Sequence, residues 1–199
     1  MKTVETHNYA SLQPPMEKME KFRNKYRIPS ARWAAWDYSS NAAYFVTICV
    51  ADRAHAFGKL VDGELILSPL GKSAEDCWNE IPAHFPFVKL GEHMIMPNHA
   101  HGVVVIDKPG VAAANVETKY LASLQDTPKN RFGPQSQNLA SIIRGYKIGV
   151  TKFARANNIP FEWQARYHDH VIRNAAEYER ISNYILANPQ NWQDDEFYG

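Results

Sequence analysis

Two cysteines in 199 residues, Cys49 and Cys77, leave no disulfide framework, and their separation matches no zinc spacing. Both fall in apolar runs and read as reduced core residues. No apolar run reaches the ~20 residues needed to cross a bilayer, and the polar stretch from Met1 to Met19 lacks the hydrophobic segment of a secretion signal. The expectation is a cytoplasmic protein of bacterial type without membrane contact. Charge of one sign is also missing: 22 Lys and Arg face 21 Asp and Glu, a net charge of +1 that gives no overall pull on nucleic acid. The average hides a gradient, with Lys21, Arg23, Lys25, Arg27 and Arg32 near the beginning and Asp194, Asp195 and Glu196 near the end. There is no internal repeat. A hydrophobic content of 45% over 199 residues sustains one core of ordinary size, hence one domain.

The stretch Met96-Pro97-Asn98-His99-Ala100-His101-Gly102-Val103-Val104-Val105-Ile106 sets two histidines one residue apart at the mouth of an apolar strand. Strand side chains alternate faces, so His99 and His101 point the same way. Two imidazoles side by side on a rigid strand suit one divalent metal. By spacing alone, such a pair is more often two hydrogen-bonded strand-end histidines than a metal site. Near the other end, Ile181-Ser182-Asn183-Tyr184-Ile185-Leu186-Ala187-Asn188-Pro189 places Tyr184 and Asn188 four residues apart in a helical pattern, on one helix face. Tyrosines also pack helices, and Tyr146, Tyr167 and Tyr178 are rivals. Neither Tyr146 nor Tyr178 has an amide four residues on.

Along the chain, residues 1–23 are polar, interrupted by Pro14-Pro15, and read as a flexible N-terminal segment. Residues 43–50 read as a strand, 51–54 as a turn, and 55–61 with 64–68 as a hairpin through Asp62-Gly63. A helix follows, capped by Ser68, with Pro69 in its first turn, an apolar stripe of Leu70, Ala74, Cys77, Trp78 and Ile81, and Pro82 as its stop. Residues 87–96 and 101–106 read as antiparallel strands joined at Pro97-Asn98. Residues 107–137 lack a period and read as a mobile insertion. A helical period resumes over 138–157, with Leu139, Ile142, Ile143, Tyr146, Val150 and Phe153 on one side. A strand over 167–172 precedes a last helix, opened by a capping-box-like Asn174 and Glu177 and stopped by Pro189. Strands interleaved with helices around an antiparallel sheet predict an α+β fold.

The chain resembles the HUH single-tyrosine transposases, in particular the REP-associated branch of the IS200-like superfamily. The resemblance rests on the histidine and tyrosine segments, on Asn24-Lys25-Tyr26-Arg27-Ile28-Pro29-Ser30, Tyr44-Phe45-Val46-Thr47-Ile48-Cys49 and Glu80-Ile81-Pro82-Ala83-His84-Phe85-Pro86, and on Tyr167-His168-Asp169-His170-Val171-Ile172-Arg173. It spans residues 24–192, leaving 193–199 as an acidic tail. The family's residue between the histidines is hydrophobic; here it is the small Ala100, facing away from the metal. The resemblance implies a ferredoxin-like, RRM-like HUH endonuclease fold with Tyr184 as nucleophile and His99, His101 and Asn188 as ligands of Mg²⁺ or Mn²⁺. It also implies single-stranded DNA hairpins as partners, nicked through a covalent 5′-phosphotyrosine that leaves a 3′-OH.

Cations and flat rings suit a surface that holds phosphates and stacks unpaired bases. The candidates are Arg27, Arg32, Trp33, Trp36, Arg144, Lys147, Lys152, Trp163, Arg166, His170 and Arg173, though for any one of them taken singly solvation or packing is the commoner explanation. Competing expectations are a non-catalytic hairpin binder or repressor on the same fold, and a hydrolase using water in place of Tyr184. Monomer and homodimer both stay open.

Overall fold

A computed structural model describes residues 36–61, 63–110 and 136–194. The expectations for the segment 1–23, for Arg27, Arg32 and Trp33, for residues 111–135 of the insertion and for residues 195–199 of the tail lie outside them.

Strand β1 (Ala42–Cys49) is the most apolar stretch, and it is central, flanked by two other strands. β2 (Gly58–Val61) and β3 (Glu64–Leu67) form a separate hairpin, while β4 (Val88–Ile95), β5 (His99–Ile106) and β6 (His168–Ile172) join β1. The four-stranded sheet runs β4-β5-β1-β6, with every neighbouring pair antiparallel. Helices α1 (Pro69–Asn79) and α3 (Leu139–Ala156) lie in the two crossovers between parallel strands that have one strand between them, β1 to β4 and β5 to β6. This is the split βαβ order of a ferredoxin-like α+β fold.

Alternation divides the sheet's side chains. Tyr44, Val46, Ile48, Ala100, Val104, Ile106, Val88 and Ile95 belong to the core with Leu70, Ala74 and Trp78 of α1 and Ile142, Ile143, Tyr146 and Val150 of α3. The two helices approach closely enough that a Cβ at Gly149 would stand 2.9 Å from Cys77 Sγ. The opposite sheet face is covered by α4 (Ala175–Ala187), which packs on β4 and β5. That face carries the candidate site.

Local signals explain most boundaries. Ser68 Oγ accepts from Gly71 N–H and Pro69 occupies the first turn of α1. Asn138 and Ser141 form a reciprocal capping box on α3. The expected stop at Pro82 is corrected: α1 ends at Asn79, and Ile81–His84 makes a separate short helix, α2, with Pro82 in its first turn, where a missing N–H is harmless. The hairpin arm begins at Gly58, after Ala51–Arg53 has coiled into a 3₁₀ turn. β5 begins at His99, two residues before the expected 101, because Met96 N–H bonds His99 O across a tight connection. At the start of the insertion, Asp107 N–H bonds Phe87 O and Lys108 N–H bonds Asn41 Oδ1. No helix among the described residues is long and apolar enough to cross a membrane.

Candidate active site

The site is assembled from one strand row and one helix face. On the sheet face under α4, register sets Met94, His101, Thr47 and His168 side by side across all four strands, with Cys49 opposite His99 in the neighbouring row. The His99 and His101 rings stand 4.9 Å apart between centroids, and both side chains are fully buried. Tyr184, half-buried on α4, lies with its ring 5.7 Å from His101 and edge-on to Phe45 at 6.2 Å. Asn188 caps the C-terminus of α4 and is 2% exposed. One turn further on, Trp192 lies 5.8 Å from His99 and 6.0 Å from His55. The residues at 184, 188 and 192 thus follow each other along the histidine strand, with Asn188 in the chain between the neighbours of His101 and His99.

His99 is prepared as a neutral donor. Asn98 Oδ1 lies 2.9 Å from His99 Nδ1; an amide oxygen only accepts, so Nδ1 carries the proton and Nε2 keeps the lone pair. Burial pushes the His99 imidazole down to about 3 from 6.5, so it is neutral near pH 7. Among the described residues, no group of three or more His, Cys, Asp or Glu gathers. Among those residues a third ligand beside the two imidazoles is left to an amide or hydroxyl oxygen, and the buried Asn188 carries one. The donor set of two imidazoles and an amide fits a divalent ion that keeps room for phosphate oxygen and water.

The remaining candidates separate. Trp36 is a correction: its ring is buried in the core, where its indole N–H bonds Tyr44 Oη at 3.1 Å, and is not on a stacking surface. Lys147 Nζ donates to the carbonyls of Gln164 (3.0 Å) and Arg166 (2.6 Å) and lies 5.3 Å from the Trp163 ring, pinning the segment before β6 to α3. Burial pulls its amine down to about 8. Arg144 and Lys152 are exposed on α3, on the other side of the sheet from Tyr184. Arg166 and Arg173 are exposed beside β6. His170 faces the site side of β6 and binds Glu177 at 2.9 Å. Glu177 does not reach back to Asn174 N–H, as a capping box requires, but takes Arg173 N–H instead. Among the rival tyrosines, burial pushes the Tyr146 phenol far above its ordinary range, and Tyr178 packs on Gly91.

Phe45, Thr47, Asn98 and Trp192 were not singled out from the sequence. Trp192 follows Asn188 by one helical turn, a usable signal. Phe45 and Thr47 reach the site through cross-strand register, which single-strand periodicity does not contain. Cys49, expected in the core, faces the site side beside His99.

No protein-family model matches the chain. It is 36% identical over 170 residues to an uncharacterized protein of Haemophilus influenzae, covering 85% of this chain and 92% of that one. Among solved structures it is similar to a REP-associated tyrosine transposase bound to a REP hairpin, with a TM-score of 0.51 and 15% identity over 87% of this chain and 74% of that chain. The chain belongs to one family with the Haemophilus influenzae protein, and it carries the fold of a REP-associated tyrosine transposase.

Proposed function

We propose that the protein is a metal-dependent, single-stranded DNA nicking and strand-transfer enzyme, a transposase acting at hairpin-forming repeats. The observation that carries this reading is the packing of Tyr184 against His101 while His99 and His101 stand together, buried and adjacent. A phenol is a weak nucleophile near neutral pH, with an unperturbed pKa of ~10. Mg²⁺ or Mn²⁺ held by His99, His101 and Asn188 would supply positive charge to a non-bridging phosphate oxygen. Neutral ligands leave that charge undiminished.

Tyr184 contributes the attacking oxygen. Its bond to the 5′ phosphorus replaces the bond to the 3′ oxygen, which leaves and ends as a 3′-OH. The covalent phosphotyrosine stores the bond energy for rejoining without ATP. The hairpin substrate is supported by the fold's occurrence in a protein bound to a REP hairpin, and by the exposed cations Arg166 and Arg173 flanking β6.

The deciding experiment incubates the protein with hairpin-bearing single-stranded DNA and Mg²⁺ or Mn²⁺, then resolves the products on a denaturing gel. A protein–DNA adduct is expected. Cleavage without an adduct assigns the attack to water, and binding without cleavage leaves a hairpin binder.

A further inference from the structure

Glu177 does more than close the first turn of α4. Its Oε2 accepts Arg173 N–H at 2.7 Å, and its Oε1 lies 2.9 Å from His170 Nε2 and 3.5 Å from Arg180 Nη2. Both side chains are sheltered, 10% exposed for Glu177 and 18% for His170. Burial pushes this carboxyl up, but the bonds from Arg173 N–H and His170 outweigh it and hold Glu177 below its ordinary value. A carboxylate only accepts, so His170 donates from Nε2.

His170 stands opposite Phe45 in the sheet, and Phe45 is the ring beneath Tyr184. On the other flank, Tyr178 lies so close over Gly91 of β4 that a Cβ there would collide with its hydroxyl. The first turns of α4 are therefore gripped from both edge strands, by Glu177 on β6 and by Tyr178 on β4. Seven residues, two helical turns, separate Glu177 from Tyr184, so both leave α4 on the same face, about 10 Å apart along the axis.

We propose that His170 and Glu177 are positioning residues for Tyr184: their pair fixes the rotational setting of α4, and with it the place of the phenol oxygen beside the histidine pair. The inference rests on the proposed nucleophilic role of Tyr184. Turning α4 by roughly 10° moves a phenol oxygen about 8 Å from the helix axis by more than about 1 Å, and a misplacement of that size costs on the order of 100-fold in rate.

Two Glu177 variants separate setting from charge. Glu177→Gln keeps an oxygen for Arg173 N–H and an amide that His170 accepts after a tautomer change, whereas Glu177→Ala removes both links. Adduct formation at saturating DNA should slow by about 30- to 100-fold in Glu177→Ala and by less than about 5-fold in Glu177→Gln, with hairpin affinity within about 2-fold in both. His170→Phe, which leaves the Arg173 bond in place, should behave as Glu177→Ala does and serves if that variant does not fold. A readout free of activity comes from replacing Tyr184 with 3-fluorotyrosine. Its fluorine resonance should move in Glu177→Ala and stay at the parent position in Glu177→Gln. Parental rates in Glu177→Ala, an unmoved resonance, or equal slowing by Gln and Ala would each overturn the positioning role. Failure of the parent itself to form an adduct defeats the nucleophile reading instead, and the resonance still decides whether the pair sets α4.

Discussion

At the residue scale, the proposed nucleophile and the groups around it can be tested one at a time. Tyr184→Phe removes one oxygen and keeps the ring that touches His101 and Phe45. Adduct formation should vanish on a denaturing gel while hairpin binding and the melting temperature stay near the parent's; a surviving adduct would move the nucleophile elsewhere. For His99, burial favours the neutral imidazole, so its contribution to stability is complete above pH ~6.5 and is lost as pH falls toward the folded value of about 3. Between those limits the unfolded chain takes up a proton that the folded one refuses, at about 1.4 kcal/mol per pH unit. Urea unfolding of the metal-free protein should therefore show about 2 kcal/mol less stability at pH 5 than at pH 7 from this group. His99→Gln should flatten that slope, and an unchanged slope would reject the assignment. Asn188→Ala should impair nicking less than His99→Ala or His101→Ala, because water can take an amide's place, and Mn²⁺ should restore part of it. A metal titration identical to the parent's would reduce Asn188 to a helix cap.

At the scale of elements, β5 meets opposite demands on its two faces. Toward α4 it presents His99 and His101; toward α1 it must let Trp78 lie against the sheet, and Gly102 makes the room. A Cβ at 102 would stand 2.6 Å from both Trp78 Cζ2 and His93 Cβ, and Trp78 is fully buried and stacked on His93. Gly102→Ala should therefore cost about 1–3 kcal/mol, read as a lower midpoint in denaturant. It should also slow nicking, because the strand that yields is the one carrying His101. The helices were legible where caps and stripes coincide, as at Ser68 with Pro69 and along Leu139, Ile142, Ile143 and Tyr146. Pro82 was misread because proline ends one helix and opens the next with equal ease, and local sequence does not say which. The Glu177 side chain was misplaced for a similar reason: its local partner Asn174 N–H lost to Arg173 N–H and to His170 of the preceding strand β6.

At the scale of the molecule, the sheet is a partition. Tyr184 and the histidines are on the α4 side, whereas Arg144 and Lys152 project from α3 on the other. Replacing both cations with alanine should leave the nicking rate at saturating DNA unchanged, and any loss of hairpin affinity should come with a shallower salt dependence. A rate loss at saturation would place them in contact with the reacting strand. The Trp36 correction has the same origin, since a tryptophan near a basic segment reads as a stacking ring until the fold buries it beside Tyr44.

Alternation along one strand determined that His99 and His101 share a face, and helical spacing determined that Tyr184 and Asn188 do; both are local geometry, fixed by the strand and helix periods of two and 3.6 residues. Only the tertiary structure decided that these two faces meet, that Phe45, Thr47 and Trp192 join them, and that His170 bonds Glu177 of α4. Register between distant strands and the placement of a helix across a sheet are settled by burial summed over the whole core, and no short window of sequence contains that sum.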